Sequence, residues 1–185
     1  LHLSIRRQRQ MCIRDRTGSF KIRGSAYRLS QLSAEERSRG VVAASAGNHA
    51  QGVALAAQTL GIQATIFVPL GIPVPKLLAT RSYGAEVVLE GETVATSLRL
   101  AAEFAERTGA VIIHPFDHRD VVIGQGTLGL ELLEDAPDVD TIVLGIGGGG
   151  LIAGVAAAVK AKAAELGRSV RIIGVQAENL SLIHI

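Results

Sequence analysis

Two spacings alternate along this chain. Short continuous runs rich in β-branched residues, VVAAS (Val41–Ser45), ATIFVP (Ala64–Pro69), AEVVLEG (Ala85–Gly91), AVIIH (Ala110–His114), TIVLGI (Thr141–Ile146) and VRIIGV (Val170–Val175), read as strands. Between them lie longer stretches with helical periodicity: NHAQGVALAAQTLG (48–61), VPKLLATRSYG (74–84), ETVATSLRLAAEFAERTG (92–109), GTLGLELLEDA (126–136) and LIAGVAAAVKAKAAELG (151–167). Several end in a glycine suited to a left-handed cap. Strands that alternate with helices predict an α/β fold of parallel sheets. HPFDHRD (His114–Asp120), followed by the glycine pair of GQG, interrupts the alternation after four strand–helix units. It predicts a crossing between two domains: a small α/β domain over 38–115, and a larger one built from 17–37 and 116–179. No internal repeat or low-complexity linker is present.

The two ends fit neither spacing. RRQRQMCIRDR (Arg6–Arg16) and LSLIHI (Leu180–Ile185) are expected to be one DNA element translated in opposite orientations. A legal back-translation of Met11–Asp15, extended by two bases, has a reverse complement that encodes Leu-Ser-Leu-Ile-His and the start of Ile. That is the signature of a translated sequencing adapter, so 1–16 and 180–185 are read as a non-native leader and tail; a native basic arm is the alternative. The assignment changes the charge balance. Five of the 19 Lys and Arg and one of the 17 Asp and Glu lie in 1–16, which leaves 14 basic against 16 acidic residues. The basic character of the whole chain is then a property of the leader, and neither a nucleic-acid nor a membrane partner is expected. The single cysteine, Cys12, also falls there, so no disulfide framework or thiolate metal site is expected, and a cytoplasmic setting fits. The remaining residues form no apolar run of membrane-spanning length. With 48% hydrophobic but only 3% aromatic residues, the interior should be aliphatic.

Three stretches carry chemistry. GIGGGGLIAG (Gly145–Gly154) joins a strand to a helix, and Gly147, Gly148, Gly149 and Gly150 let backbone N–H groups approach a ligand without Cβ interference. The start of the helix favours an anion, so a phosphorylated small molecule is the first expectation. Close helix–strand packing is the bland alternative. Gly145, Gly147 and Gly150 also satisfy G-x-G-x-x-G, with Glu178 near where a ribose-binding acid would fall, which keeps a Rossmann-type dinucleotide-binding module in play. SAGNHAQG (Ser45–Gly52) opens a helix after the first strand of the small domain. Ser45 and Asn48 can face a ligand there or simply cap the helix, and His49 alone suits a core or surface position. TGSFKIRGS (Thr17–Ser25) sets Lys21 at the mouth of a helix, where partial desolvation loosens its proton and makes it a better nucleophile toward a carbonyl. An activated lysine and a phosphate cradle together suggest pyridoxal 5'-phosphate.

In this order, SFKIRG, SAGNHAQG and GGGGLIAG resemble the signature segments of the serine/threonine dehydratases (threonine ammonia-lyases) among the fold type II pyridoxal-phosphate enzymes; GQGTLGLEL and IIGVQAEN are similar to that family too. The resemblance spans Thr17–Gly154 and continues into Asn179. It implies two parallel-sheet, three-layer domains of tryptophan synthase β-like architecture. It implies that Lys21 carries the cofactor covalently and later shuttles the α-proton, that Phe20 backs the ring, and that Asn48 bonds the ring hydroxyl. Gly147 to Gly150 with Leu151 would hold the phosphate, and Ser45, Gly47, Asn48 and His49 the substrate carboxylate, with Ser45 also counted as catalytic. The implied reaction is dehydration and deamination of L-threonine and/or L-serine to a 2-oxo acid and ammonia. Serine racemase and the β-replacement synthases are the alternatives within the fold; racemases of this family usually carry a serine where this chain has Ala46, which favours dehydration. The full-length protein is expected to be a cytoplasmic homo-oligomer of amino-acid metabolism, isoleucine biosynthesis included. The family's segment ahead of TGSFK and its residues beyond Asn179, including the group at the pyridine nitrogen, have no counterpart here. The polypeptide is therefore expected to be an internal piece of a longer enzyme, truncated at both ends and inactive as written, with an unpaired sheet edge. Whether a metal ion is bound is open.

Overall fold

A computed structural model describes residues 16–178; the leader and tail assignments lie almost entirely outside them. The described residues divide into two compact units, one formed by 16–24 together with 116–178, the other by Ser25–Pro115. In the unit of Ser25–Pro115, Leu29 and Leu32 are fully or nearly fully buried.

Ser25–Pro115 holds a four-stranded, all-parallel sheet of order β3-β2-β1-β4, from β1 (Val41–Ala44), β2 (Ala64–Val68), β3 (Glu86–Leu89) and β4 (Val111–Ile112). Every residue of β1 and β2 is buried, because helices cover both faces of a central parallel strand. The helices are α1 (Lys21–Ser30), which enters this unit at Ser25, then α2 (Ala34–Arg39), α3 (Asn48–Leu60), α4 (Val74–Ser82) and α5 (Val94–Thr108). On one face Ala101, Leu100 and Phe104 of α5 pack against Val42, Ala44 and Phe67. Helix α2, absent from the periodicity reading, is short and exposed, and Ser33 and Glu36 hold its start with a reciprocal capping box. Helices α3 and α5 do stop on left-handed glycines, Gly61 and Gly109.

In the other unit β5 (Thr141–Gly145) and β6 (Arg171–Val175) pair in parallel, and α6 (Arg119–Asp135) and α7 (Gly150–Glu165) pack on one face of them. The shared core is Leu128, Leu133, Ile142, Leu144, Val155, Val159, Ala163 and Val170. Helix α6 begins at Arg119, seven residues before the periodicity places it, and GQG lies inside the helix rather than in a loop. Interior glycines each weaken a helix by roughly 0.5–1 kcal/mol relative to alanine. They are tolerated here because the neighbouring backbones come too close for a side chain: a Cβ on Gly126 would stand 2.9 Å from Gly154 O, and one on Gly154 would stand 2.2 Å from Val122 O.

Candidate active site

Lys21 is placed by the turn before it. Gly18 takes φ +65°, Thr17 Oγ1 donates to Ser19 O at 3.2 Å, and Ser19 Oγ accepts from Lys21 N at 3.4 Å, so the serine starts helix α1 and is itself buried. Lys21 Nζ lies 5.4 Å from the centre of the Phe20 ring, and Phe20 packs on the core shared by α6, α7 and β5. Burial holds the Lys21 ammonium below its usual pKa of 10.5, because the charged form loses water it cannot replace. Its place in the first turn of a helix acts in the same direction.

Leu151 of α7 packs on the same core as Phe20, so the amine and the glycine turn share one hydrophobic support. The turn runs from Gly145 at the end of β5 to Gly150. Gly149 is the N-cap at φ +82°, and no side chain caps the helix. A Cβ on Gly147 or Gly149 would meet nothing within 4 Å, whereas one on Gly148 would fall 2.3 Å from the Phe116 ring, and one on Gly150 2.8 Å from Phe116 O. Two glycines thus face open space while two lie against Phe116. The first-turn N–H groups of a helix have no intrahelical acceptor, and with no side-chain cap they suit an anion. These residues fit a phosphorylated aldehyde: uncapped backbone donors for its phosphate, and a partly desolvated amine for its carbonyl carbon.

Ser45, Gly47, Asn48 and His49 belong to the other unit and follow β1. Ser45 N donates to Phe67 O at 3.2 Å, which continues the sheet, and Ser45 Oγ accepts from Gly47 N at 3.2 Å. The N-cap of α3 is Gly47, without a side-chain cap, so neither Ser45 nor Asn48 caps the helix. Asn48 is exposed, and its amide makes no hydrogen bond among the described residues. His49 is buried, and its Nε2 donates to Ile113 O at 2.8 Å. Its ring therefore serves the core.

Two groups escape the sequence reading. Phe116 sits in the aperiodic HPFDHRD segment, and only its approach to Gly148 and Gly150 reveals it as the floor of the turn. Gln125, 1% exposed, has its Nε2 2.4 Å from where a Cβ on Gly24 would lie, and its Oε1 has no hydrogen-bond partner among the described residues. GQG was legible as a string, but not as a helix-packing site. Among the described residues no cluster of His, Cys, Asp or Glu is placed to hold a metal ion, and no helix is long and apolar enough to cross a membrane. The groove lined by Leu130, Leu133, Ala158, Ala161 and Leu166 holds none of the candidate residues.

Comparison with known proteins agrees with this chemistry. L-threonine ammonia-lyase of Thermotoga maritima is 54% identical over 165 residues, which cover 89% of this chain and 40% of that protein. The catabolic L-threonine dehydratase TdcB of Escherichia coli strain K12 is 49% identical over 89% of this chain and 49% of its own length. Among solved structures, threonine deaminase isoform 2 of Solanum lycopersicum superposes with a TM-score of 0.82 at 45% identity, covering 87% of this chain and 43% of that one. Maize serine racemase superposes with a TM-score of 0.81 at 42% identity, covering 86% and 47%. The fold is that of the fold type II pyridoxal-phosphate enzymes, and the chain spans a little under half the length of these relatives. The family profile "Pyridoxal-phosphate dependent enzyme" matches residues 11–184, and the chain belongs to that family.

Proposed function

We propose that the full-length protein dehydrates and deaminates L-threonine and/or L-serine, giving a 2-oxo acid and ammonia, with pyridoxal 5'-phosphate joined to Lys21. The observation that carries this reading is the pairing, on one core, of a lysine whose pKa is lowered by burial with a glycine turn that presents uncapped backbone donors. Relatives near 50% identity named for threonine deamination support the substrate class. The cofactor, when bound, supplies an electron sink for the bond broken at the substrate Cα.

The chain's own residues do the rest. Backbone N–H groups of Gly147 to Gly150 and Leu151 would donate to the phosphate. Phe20 would back the ring with apolar surface, and the Asn48 amide would bond the ring hydroxyl. Lys21 Nζ, its pKa lowered by burial, would move the proton at the substrate Cα. Gly47 N–H is already engaged by Ser45 Oγ. The substrate carboxylate would accept hydrogen bonds from the Ser45 hydroxyl and from backbone N–H groups of the first turn of α3, where Asn48 and His49 stand. Ala46 places no hydroxyl beside them, so no side-chain acid from this position serves the second face of the substrate, and elimination is favoured over racemisation. The same reading, on resemblance alone, takes the protein as a cytoplasmic homo-oligomer acting on a free amino acid.

The test is borohydride reduction of the cofactor-loaded full-length protein, peptide mapping of the modified lysine, and parallel assay of 2-oxo acid and of the D-amino acid. Label on Lys21, and a deamination rate that falls by on the order of 10²–10⁴-fold or more in Lys21→Ala, are expected. Label elsewhere, unchanged deamination in that variant, or racemisation exceeding 2-oxo acid release would refute the assignment.

A further inference from the structure

Helix α6 has two working faces. Gly124, Thr127 and Glu131 are spaced three and four apart and share one of them; Gly126, Gly129 and Leu133 share the other. The two sets are offset by two residues, which at 3.6 residues per turn places them about 200° apart, on opposite sides of the helix.

The first face meets the opening turn of α1. A Cβ on Gly124 would stand 2.5 Å from Arg23 O and 2.7 Å from Gly24 Cα. Beside this contact the Arg23 guanidinium grips α6. Its Nη1 and Nη2 donate to Glu131 Oε1 and Oε2, each at 2.8 Å. Nη1 also donates to Thr127 Oγ1 at 3.2 Å, and the Thr127 hydroxyl donates to Gly124 O at 2.8 Å. The Arg23 side chain is only 8% exposed. A planar fork bound to both carboxylate oxygens fixes orientation as well as distance, which a lysine ammonium does not. The second face meets α7 at similar range: Gly126 lies against Gly154 O, and a Cβ on Gly129 would be 2.8 Å from Val159 Cγ2 and 3.1 Å from Val155 O.

Lys21 stands two residues before Arg23, and Gly150 four residues before Gly154. We propose that Arg23, clamped to Glu131 and Thr127, is a positioning residue that sets Lys21 relative to the glycine turn opening α7, with α6 as the rigid spacer between them. The inference rests on the reading of Lys21 as the cofactor-bearing amine. A group held at its phosphate and bonded at its aldehyde carbon needs both anchors at a fixed separation, and a displacement of about 1 Å is enough to cost on the order of 10²-fold in rate.

The test uses the full-length protein stripped of cofactor and titrated separately with pyridoxal 5'-phosphate and with inorganic phosphate, alongside thermal melting of the stripped protein. Arg23→Lys keeps the charge and loses the fork. It should slow formation of the borohydride-reducible linkage at Lys21 by about tenfold or more, leaving the affinity for inorganic phosphate and the melting midpoint close to those of the unaltered protein. The exchange Arg23→Glu with Glu131→Arg should recover most of the linkage rate. A linkage rate in Arg23→Lys equal to that of the unaltered protein overturns the positioning role alone. Parallel loss of phosphate affinity, pyridoxal 5'-phosphate affinity and melting midpoint overturns it as well, in favour of general stabilisation. If the unaltered protein forms no reducible linkage at Lys21, the cofactor reading falls and this inference falls with it. Should the charge exchange not fold, Arg23→Lys decides.

Discussion

Two parallel strands in this chain end in turns that open helices on glycine N-caps, and the two turns are built in opposite ways. After β5 the turn carries one side chain, Ile146, before four glycines: Gly149 sits at φ +82°, and Gly148 and Gly150 are held from outside by Phe116. After β1 the cap is Gly47 at φ −145°, a Cβ there would touch nothing, and the turn is held from within by the Gly47 N–H on Ser45 Oγ. The strands differ too. β1 is buried along its whole length, while β5 alternates and leaves Val143 59% exposed, beside Ile173 at 39% and near Val175 at 57%. A turn locked by steric contact offers backbone donors of fixed geometry, which suits a constant group such as a phosphate. A turn held by its own side chain adds a hydroxyl to its backbone N–H groups, which suits a carboxylate.

The same substitution in both turns breaks or sharpens this contrast. Gly148→Ala drives a methyl into the Phe116 ring and should lower stability by about 1–3 kcal/mol, as overpacking does. It should also weaken pyridoxal 5'-phosphate binding by about tenfold or more, since each tenfold is only ~1.4 kcal/mol. Gly47→Ala meets open space, and its stability should stay within about 0.5 kcal/mol of the parent. Denaturant melts and cofactor titrations of the two variants side by side decide the matter, and equal losses would mean that both turns are sterically locked.

Lys21 gives the next largest effect. Its pKa in the folded chain lies below 10.5 because the charged form is desolvated. Between that lowered value and 10.5 the unfolded chain binds more protons than the folded one, so the stability of the cofactor-free protein rises with pH across that window. Below the lowered pKa the contribution is constant. Lys21→Met should remove the rise, which melting midpoints recorded across the alkaline range would show. A rise of the same size in the variant would assign it to other groups.

The strands and the glycine turn that follows β5 were legible in the sequence, because hydrophobic runs and glycine clusters report local conformation directly. The expected strands all appear within a residue or two, β4 being the shortest at Val111–Ile112. Helix α6 was legible only in part. Gly124 and Gly126 look like breakers, and their reason lies in backbones remote in sequence, at Arg23 and Gly154. Phe116 was illegible for the same reason: nothing near it in the chain says which turn it will support. His49 shows the reverse case, where a residue of the SAGNHAQG stretch turns its ring inward and Nε2 donates to Ile113 O.

Ser45 tests the inner bond of the second turn. Ser45→Ala removes the acceptor of Gly47 N–H and should cost about 0.5–1.5 kcal/mol, the usual net worth of such a bond. It should also raise KM for the amino acid, because the hydroxyl is assigned to the carboxylate. A KM unchanged within error, beside the expected loss in the melt, would leave Ser45 with a structural role alone.

Asn48 should give the smallest change in stability and the cleanest separation of capping from ligand binding. Its amide is exposed and makes no hydrogen bond among the described residues, and the capping position belongs to Gly47. Alanine suits the first turn of a helix at least as well, so Asn48→Ala should leave the melting free energy within about 0.5 kcal/mol. A capping asparagine would instead lose about 1 kcal/mol on the same change. If the amide bonds the cofactor ring, the variant should bind pyridoxal 5'-phosphate several-fold more weakly, the equivalent of one hydrogen bond of about 0.5–1.5 kcal/mol, while its affinity for inorganic phosphate stays unchanged. The phosphate control matters because inorganic phosphate carries no ring for the amide to bond. A drop in the melt with cofactor affinity intact would return Asn48 to the capping role and take the ring contact away from it.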